Sequence, residues 1–303
     1  MRLRVSIGAA VGLATLAVAV RCIHARRSTA ATSSGPESKA AAVPEASALA
    51  RAGVSRPWFD PAALGGARVV VASKATDPLE AVRVQTSEGD YDLVLVRQAK
   101  AVEIVDRDAA SVHLGSSLAL RQYEEARGKH LLMAMNGGMF QPSFEPVGLL
   151  VSNGAQRAAL NLEGGEGNFF MSPNGVLSVT ARGFGVTESK RFAAARATPA
   201  AEALLFATQS GPLLLQGGQE HAGFAKASSH RLIRNGVGVN AQGQALFAIS
   251  NTPVTFHELA HLFAALGFPD ALYLDGTVSM LYLPELARAD PGTGLGPLIA
   301  VTD

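Results

Sequence analysis

Four apolar runs, far apart in the chain, stop abruptly at small polar residues. Leu131-Leu132-Met133-Ala134-Met135 runs into Asn136-Gly137-Gly138, and Leu204-Leu205-Phe206-Ala207-Thr208 into Gln209-Ser210-Gly211-Pro212. Arg231-Leu232-Ile233 runs into Arg234-Asn235-Gly236, and Ala271-Leu272-Tyr273-Leu274 into Asp275-Gly276-Thr277-Val278-Ser279. Buried strands that end this way gather polar side chains and backbone N–H groups at one sheet edge, where ligands bind. Shorter β-branched runs at 67–72, 81–86, 91–96 and 101–105, separated by turn residues, predict four early strands. Helical spacing over 117–127 stops at Gly128, and a second helix over 255–266 has Thr255 and Glu258 at capping-box spacing with Gly267 as its stop. Ser152-Asn153-Gly154, Pro173-Asn174-Gly175 and Ala241-Gln242-Gly243 carry hairpin chemistry, and 271–274 and 298–301 are further strands. The pattern predicts a mixed α+β fold: one strand-rich domain whose mixed β-sheets are flanked by a few helices, rather than a regular alternation of strand and helix.

Composition supports a packed domain. Of 303 residues, 48% are apolar and 17% charged, which is ample core material. The 26 basic and 25 acidic residues nearly cancel, and many arginines fall in the first 60 positions, so nucleic acid is not an expected partner.

Residues 1–27 begin Met1-Arg2-Leu3-Arg4, continue through an apolar stretch from Val5 to Val20, and end in a basic cluster. The stretch is shorter than the roughly 20 apolar residues that span a bilayer, so it suits a signal peptide with cleavage after Ala19 or Ala25, or else an uncleaved signal anchor. Either form predicts export to the periplasm or exterior, with any membrane contact made through this segment alone. Cys22 is the single cysteine and follows Arg21 rather than the small residue of a lipoprotein site, so no internal disulfide is expected in the mature domain. Residues 28–57 are rich in Ala, Ser and Pro and predict a flexible linker, leaving 58–303 as the folded domain.

In order and content the four blocks resemble the phosphodiester glycosidase family over roughly Leu131 to Ser279: an Asn-Gly block, Gln-Ser-Gly-Pro, an arginine opening a Gly-Val-rich strand, and Leu-Asp-Gly. The commoner family form has two glycines after the aspartate, whereas Thr277 follows Gly276 here, which places the chain nearer the family's bacterial branch. The resemblance implies a hydrolase acting on a sugar-1-phosphodiester or an envelope glycan. It demands no cofactor, and a divalent metal stays open.

Within that reading, Arg234 is expected to bind phosphate through two parallel hydrogen bonds, or else to be a surface cation paired with an acid. Asp275, at the end of an apolar strand, needs a cation, a metal or backbone donors, unless it is a turn residue with Gly276. Ser210 with Gly211 is expected to offer a hydroxyl and an N–H, and Asn136-Gly137-Gly138 an N–H nest, the alternative in both being an ordinary turn. Asn235, Gly276 and Ser279 complete the expected binding set, and the loop carboxylates Glu145 and Glu166 are candidates for an acid or base.

His257-Glu258-Leu259-Ala260-His261 spells H-E-x-x-H, the helical signature of zinc peptidases. At 100° per residue, Phe256, Leu259, Ala260, Phe263 and Leu266 form the core stripe, the histidines lie roughly 120–160° from its centre, and Glu258 is accounted for by the cap. A zinc metallopeptidase therefore ranks behind a phosphodiester glycosidase, as does a non-catalytic envelope glycan-binding protein.

Overall fold

Strands dominate because the apolar positions alternate or run continuously in stretches of four to seven residues, each closed by turn residues. The computed structural model describes residues 56–74, 77–275, 278–290 and 292–303. Three sheets result, antiparallel in every pairing among the described residues.

The largest sheet has eight strands in the order β1 (Arg68–Ala72), β2 (Leu79–Gln85), β3 (Asp90–Val96), β14 (Ala245–Ser250), β13 (Asn235–Val239), β15 (Asp270–Tyr273), β11 (Leu213–Gln216) and β12 (Gln219–Glu220). A second is ordered β7 (Ala155–Ala158), β6 (Leu150–Ser152), β10 (Phe206–Ser210), β8 (Gly175–Thr180), β9 (Gly183–Glu188). The third is ordered β17 (Arg288–Ala289), β16 (Leu281–Leu283), β5 (Leu131–Asn136), β18 (Leu298–Thr302), β4 (Val102–Val105).

One face of every sheet turns to a shared core that includes Val94, Phe247 and Val237 from the first sheet, Leu177 and Phe206 from the second, and Met133, Met135 and Ile299 from the third. The opposite faces are covered by helices. α3 (Phe256–Ala265) lies on the eight-stranded sheet through Leu259, Ala260 and Phe263; α1 (Ser117–Ala126) places Leu120 against the third sheet; α2 (Ser189–Arg196) places Phe192 against the second. Burying each such side chain contributes about 1.5–3 kcal/mol, so this shared core outweighs the weak intrinsic preferences of its short strands.

The Gly-Val-Gly-Val stretch of β13 follows from that layering. Val237 and Val239 point into the shared core, while a Cβ at Gly238 would sit 2.6 Å from a Phe263 ring carbon and 2.8 Å from Phe268 Cβ. The glycine lets α3 press its phenylalanine directly onto the strand.

The strand-rich α+β expectation holds, with the sheets antiparallel rather than mixed in direction. α3 begins with the expected capping box, and the turns at Asn153-Gly154 and Gly243 join neighbouring strands. Pro173-Asn174-Gly175 instead leads from a short 3-10 turn (Asn168–Phe170) into β8, because the strand that pairs there lies further along the chain. The expected leader at 1–27 lies outside the described residues, as does nearly all of the expected linker. Its end is folded: Arg56 is buried and pairs with Glu80 at 2.6 Å.

Candidate active site

Where the three sheets meet, the ends of β5, β10, β13 and β15 bring the four sequence blocks together. The register of β13 against β15 pairs Gly236 with Tyr273, which sets Arg234 and Asn235 beside Leu274 and Asp275. Asn136 arrives from the third sheet and Ser210 from the second. All five polar residues are buried: Ser210, Arg234 and Asn235 completely, Asn136 and Asp275 at 1% and 6% exposure.

Hydrogen bonds connect four of them, Asn136, Ser210, Asn235 and Asp275, through the Leu274–Asp275 peptide, while Arg234 has partners of its own. The backbone N–H of Met280 donates to Asn136 Oδ1 at 2.9 Å and that of Asp275 to Asn235 Oδ1 at 3.1 Å. These obligatory donors fix both amide orientations, so Asn235 Nδ2 donates to Asn136 Oδ1, at 2.8 Å. Ser210 Oγ donates to the Leu274 carbonyl at 2.7 Å, and Ser279 Oγ to the Asp275 carbonyl at 2.8 Å. Asn136 Nδ2 is left buried without an acceptor among the described residues. An orphaned buried donor costs roughly 1–3 kcal/mol, a cost that a ligand oxygen would remove.

Arg234 is held in place on several sides. Nε donates to the Val254 carbonyl at 2.9 Å, Nη1 to the Tyr273 hydroxyl at 3.3 Å, and Nη2 to both Nδ1 and the carbonyl of His230 at 3.2 Å. Its guanidinium carbon lies 3.8 Å from the centroid of the Phe256 ring. Burial lowers its pKa, opposed by Tyr273. Burial likewise pushes the Tyr273 phenol up to about 12, with Arg234 opposing and Asp275 adding to the rise. The expected two-pronged grip on phosphate, and the alternative of a surface cation, give way to a buried cation whose Nε and Nη2 donors are already committed.

Other expected residues fare differently. Gly137 donates its N–H to the Pro297 carbonyl at 2.7 Å, and Gly138, at φ +148°, would place a Cβ 2.6 Å from Thr208 Oγ1. The Gly-Gly pair thus brings β5 close to its neighbours. Gly211 is similarly packed, a Cβ there meeting the Phe169 carbonyl at 2.8 Å. Gln209 bridges Leu149, Asn161 and Ser189 as structural glue. Glu145 is exposed and pairs with Arg107, Glu166 is exposed in a loop, and Gly276 lies outside the described residues. Sequence reasoning missed Tyr273, Phe256 and His230, the groups around Arg234. An aromatic residue two positions before Asp275 was the one signal available for Tyr273.

The H-E-x-x-H residues are occupied elsewhere. His257 Nδ1 lies 2.7 Å from Glu220 and His261 Nδ1 2.7 Å from Glu88, with the two rings 6.3 Å apart and nearly parallel. Glu258 accepts from the Thr255 N–H at 2.7 Å and pairs with Arg231 at 2.7 Å, so both carboxylate oxygens already hold structural contacts. Among the described residues no group of three or more His, Cys, Asp or Glu is placed to hold a metal ion.

Strand ends from three sheets thus bring a buried arginine, a carboxylate and an orphaned amide together. The chain belongs to the phosphodiester glycosidase family, whose model matches residues 129–295 and so spans every one of these groups. Over 152 residues it is 40% identical to the uncharacterized protein YigE of Escherichia coli K12, the match covering 50% of this chain and 58% of that one, less than two thirds of the relative's length. Its fold is similar to that of the zebrafish N-acetylglucosamine-1-phosphodiester alpha-N-acetylglucosaminidase catalytic domain, solved auto-inhibited by pro-peptide. The TM-score is 0.54 at 14% identity, covering 78% of this chain and 87% of that one.

Proposed function

We propose that the protein is an exported hydrolase that cleaves a sugar-1-phosphodiester between the anomeric carbon and the phosphate oxygen. The observation that carries the reading is the convergence of Asn136, Ser210, Asn235 and Asp275 into one hydrogen-bonded cluster, with the buried Arg234 next to Asn235 in the chain, inside the family-matched region. In this reaction the C1–O bond to phosphate breaks, water adds its oxygen to C1, and the departing group is a phosphate monoester that needs little protonation. The demands on the protein are to neutralise departing charge and to stabilise an oxocarbenium-like centre.

Arg234 meets the first demand through its fixed positive charge, which needs no reorganisation during the reaction because its contacts already hold it. Asp275 meets the second, facing the positive centre or orienting the attacking water. Asn136 Nδ2 supplies the donor for a substrate oxygen. The export half of the reading rests on the apolar run and basic flanks of residues 1–27.

The test is a panel of sugar-1-phosphodiesters, N-acetylglucosamine-1-phosphodiesters among them, incubated with the purified chain while release of free sugar is followed. Release that the Asp275→Asn variant fails to produce supports the reading. Binding without release, with wild type and variant alike, would make the protein a glycan-binding module and end the hydrolase assignment.

A further inference from the structure

Arg234 has no exposed surface, so what covers it decides what reaches it. The covering groups form a continuous column. The Phe256 ring lies on the guanidinium, Phe224 stacks on Phe256 with centroids 5.0 Å apart and planes 14° apart, and His221 stacks on Phe224 at 4.7 Å and 21°. Tyr273 meets Phe256 edge-on at 4.8 Å from the inner side.

The outer end is anchored. His221 Nε2 donates to the Ser172 carbonyl at 2.9 Å, just before β8 of the second sheet, and its Nδ1 accepts from the Gly223 N–H at 3.0 Å. Both ring nitrogens are therefore held by backbone.

The segment that carries the column, 221–233, is joined to the rest mainly by side chains. After β12 it forms two turns and the single bridge Leu232–Val254 before β13 begins. Between Glu220 and that bridge it leans on the molecule through one backbone bond from the His221 N–H to the Leu214 carbonyl, the His221 and Phe224 rings, the His230 contacts to Arg234, and the Arg231 contacts to Pro253, Glu258 and the Glu88 carbonyl. A stretch with so few ladder hydrogen bonds opens more readily than the strands beneath it. Two cavities are lined by none of the cluster residues: one of about 750 Å³ is lined by Pro173, Arg191, Gln216, His221 and their neighbours, and another of about 440 Å³ by Arg83, Asn251, Arg288 and theirs. His221 thus stands between the larger cavity and the buried arginine.

We propose that Phe224 and His221 are positioning residues for Arg234: they act through the Phe256 ring, and the 221–233 segment that bears them is the cover over the cluster. Neither touches Arg234. They fix the tilt and burial of the ring that does, and so set how the cation presents itself to the Asp275 side of the site. The consequence for turnover rests on the phosphodiester reading; the consequence for Arg234 itself does not.

The experiment uses the full chain labelled with ¹⁵N-arginine, the Arg234 Nε–H resonance being assigned by its loss in Arg234→Lys. In wild type that proton is protected from exchange with water. In Phe224→Ala its exchange accelerates about tenfold or more, and in Phe224→Tyr, which keeps the stack, it stays within about twofold. His221→Ala, at the anchored outer end, repeats the effect more weakly and serves if Phe224→Ala does not fold. Where wild type turns over a sugar phosphodiester, Phe224→Ala lowers kcat on the order of tenfold with KM nearly unchanged, and Phe224→Tyr restores it. Unchanged Arg234 exchange in folded Phe224→Ala and His221→Ala overturns the proposal. Accelerated exchange in a protein that turns over no phosphodiester sustains the positioning role while the phosphodiester reading falls.

Discussion

Helix α3 and the buried polar cluster lie in the same molecule and make opposite use of chemically capable side chains. The helix carries H-E-x-x-H, yet its glutamate closes a capping box and pairs with Arg231, and each histidine pairs with a different glutamate from a different part of the chain. The cluster shows no compact spacing, its members lying at 136, 210, 234, 235 and 275. Even so, all five are buried, four of them share hydrogen bonds, and Asn136 carries a donor with no acceptor among the described residues. Convergence of separate strand ends on one buried point is therefore better ground for proposing a site than letters at fixed spacing along one surface. The helix's contribution to the cluster comes through Phe256, a residue outside the motif that lies on the Arg234 guanidinium.

The strongest way to break that contrast is to strike the cluster. Asp275→Asn keeps the shape but removes the charge, and is expected to cut turnover of a sugar phosphodiester about a hundredfold or more. Arg234→Lys loses the planar fork and leaves the Val254 carbonyl and His230 without their donor, so it is expected to lose as much activity and also about 2 kcal/mol or more of stability. Residues serving one transition state fail together, so the double variant should be scarcely slower than the worse single variant. Steady-state kinetics on variants shown by circular dichroism to be folded decide this. Near-normal turnover in both folded single variants would remove them from the reacting set and level the two regions.

How far the sequence reached toward this arrangement depends on how local each signal is. The capping box of α3, the Asn153-Gly154 hairpin and the β-branched runs of β2 and β3 are set by neighbours within a few residues, so they were legible. The four blocks were legible as strand ends because an apolar run that stops at Asn or Asp is a local event. What each polar group does was not, because it depends on partners from another sheet. Arg234 read as a phosphate fork until Val254, Tyr273 and His230 were seen to take its donors. Gly137 and Gly138 read as an anion nest, whereas the Gly137 N–H goes to Pro297 and Gly138 makes room for Thr208. Pro173-Asn174-Gly175 has hairpin chemistry but precedes a strand whose partners come later, a long-range choice that turn residues do not encode.

A middle-sized effect should appear at Glu258. Burial raises the pKa of this carboxyl, but the Thr255 and Arg231 contacts outweigh that and hold it below its ordinary value of 4.5. A depressed folded pKa means that the stabilisation is fully present above the unfolded value and is lost as pH falls through the folded one, so it should fade below about pH 4.5. Glu258→Gln is expected to cost about 1 kcal/mol at neutral pH, through the weakened cap and the lost ion pair, and to show a shallower loss of stability on acidification. Denaturant melts at pH 7 and pH 3.5 measure both. Turnover should stay near wild type, whereas a hundredfold loss in a folded Glu258→Gln protein would return this residue to catalysis.

The smallest expected effect is the one most revealing about the motif. Replacing His257 and His261 together by Gln removes two exposed or half-exposed pairs with Glu220 and Glu88, each worth at most about 1 kcal/mol at a surface. It leaves the core stripe of Leu259, Ala260 and Phe263 untouched, and with it the Phe256 ring that bears on Arg234. Hydrolysis should therefore fall by less than about twofold, because no group in the cluster loses a contact and the helix keeps its cap. Metal analysis of wild type and double variant after identical purification tests the same point by a second route. Stoichiometric zinc in wild type that vanishes in the double variant, together with chelator-sensitive peptide cleavage, would make α3 the reactive region and reduce the polar cluster to a structural knot.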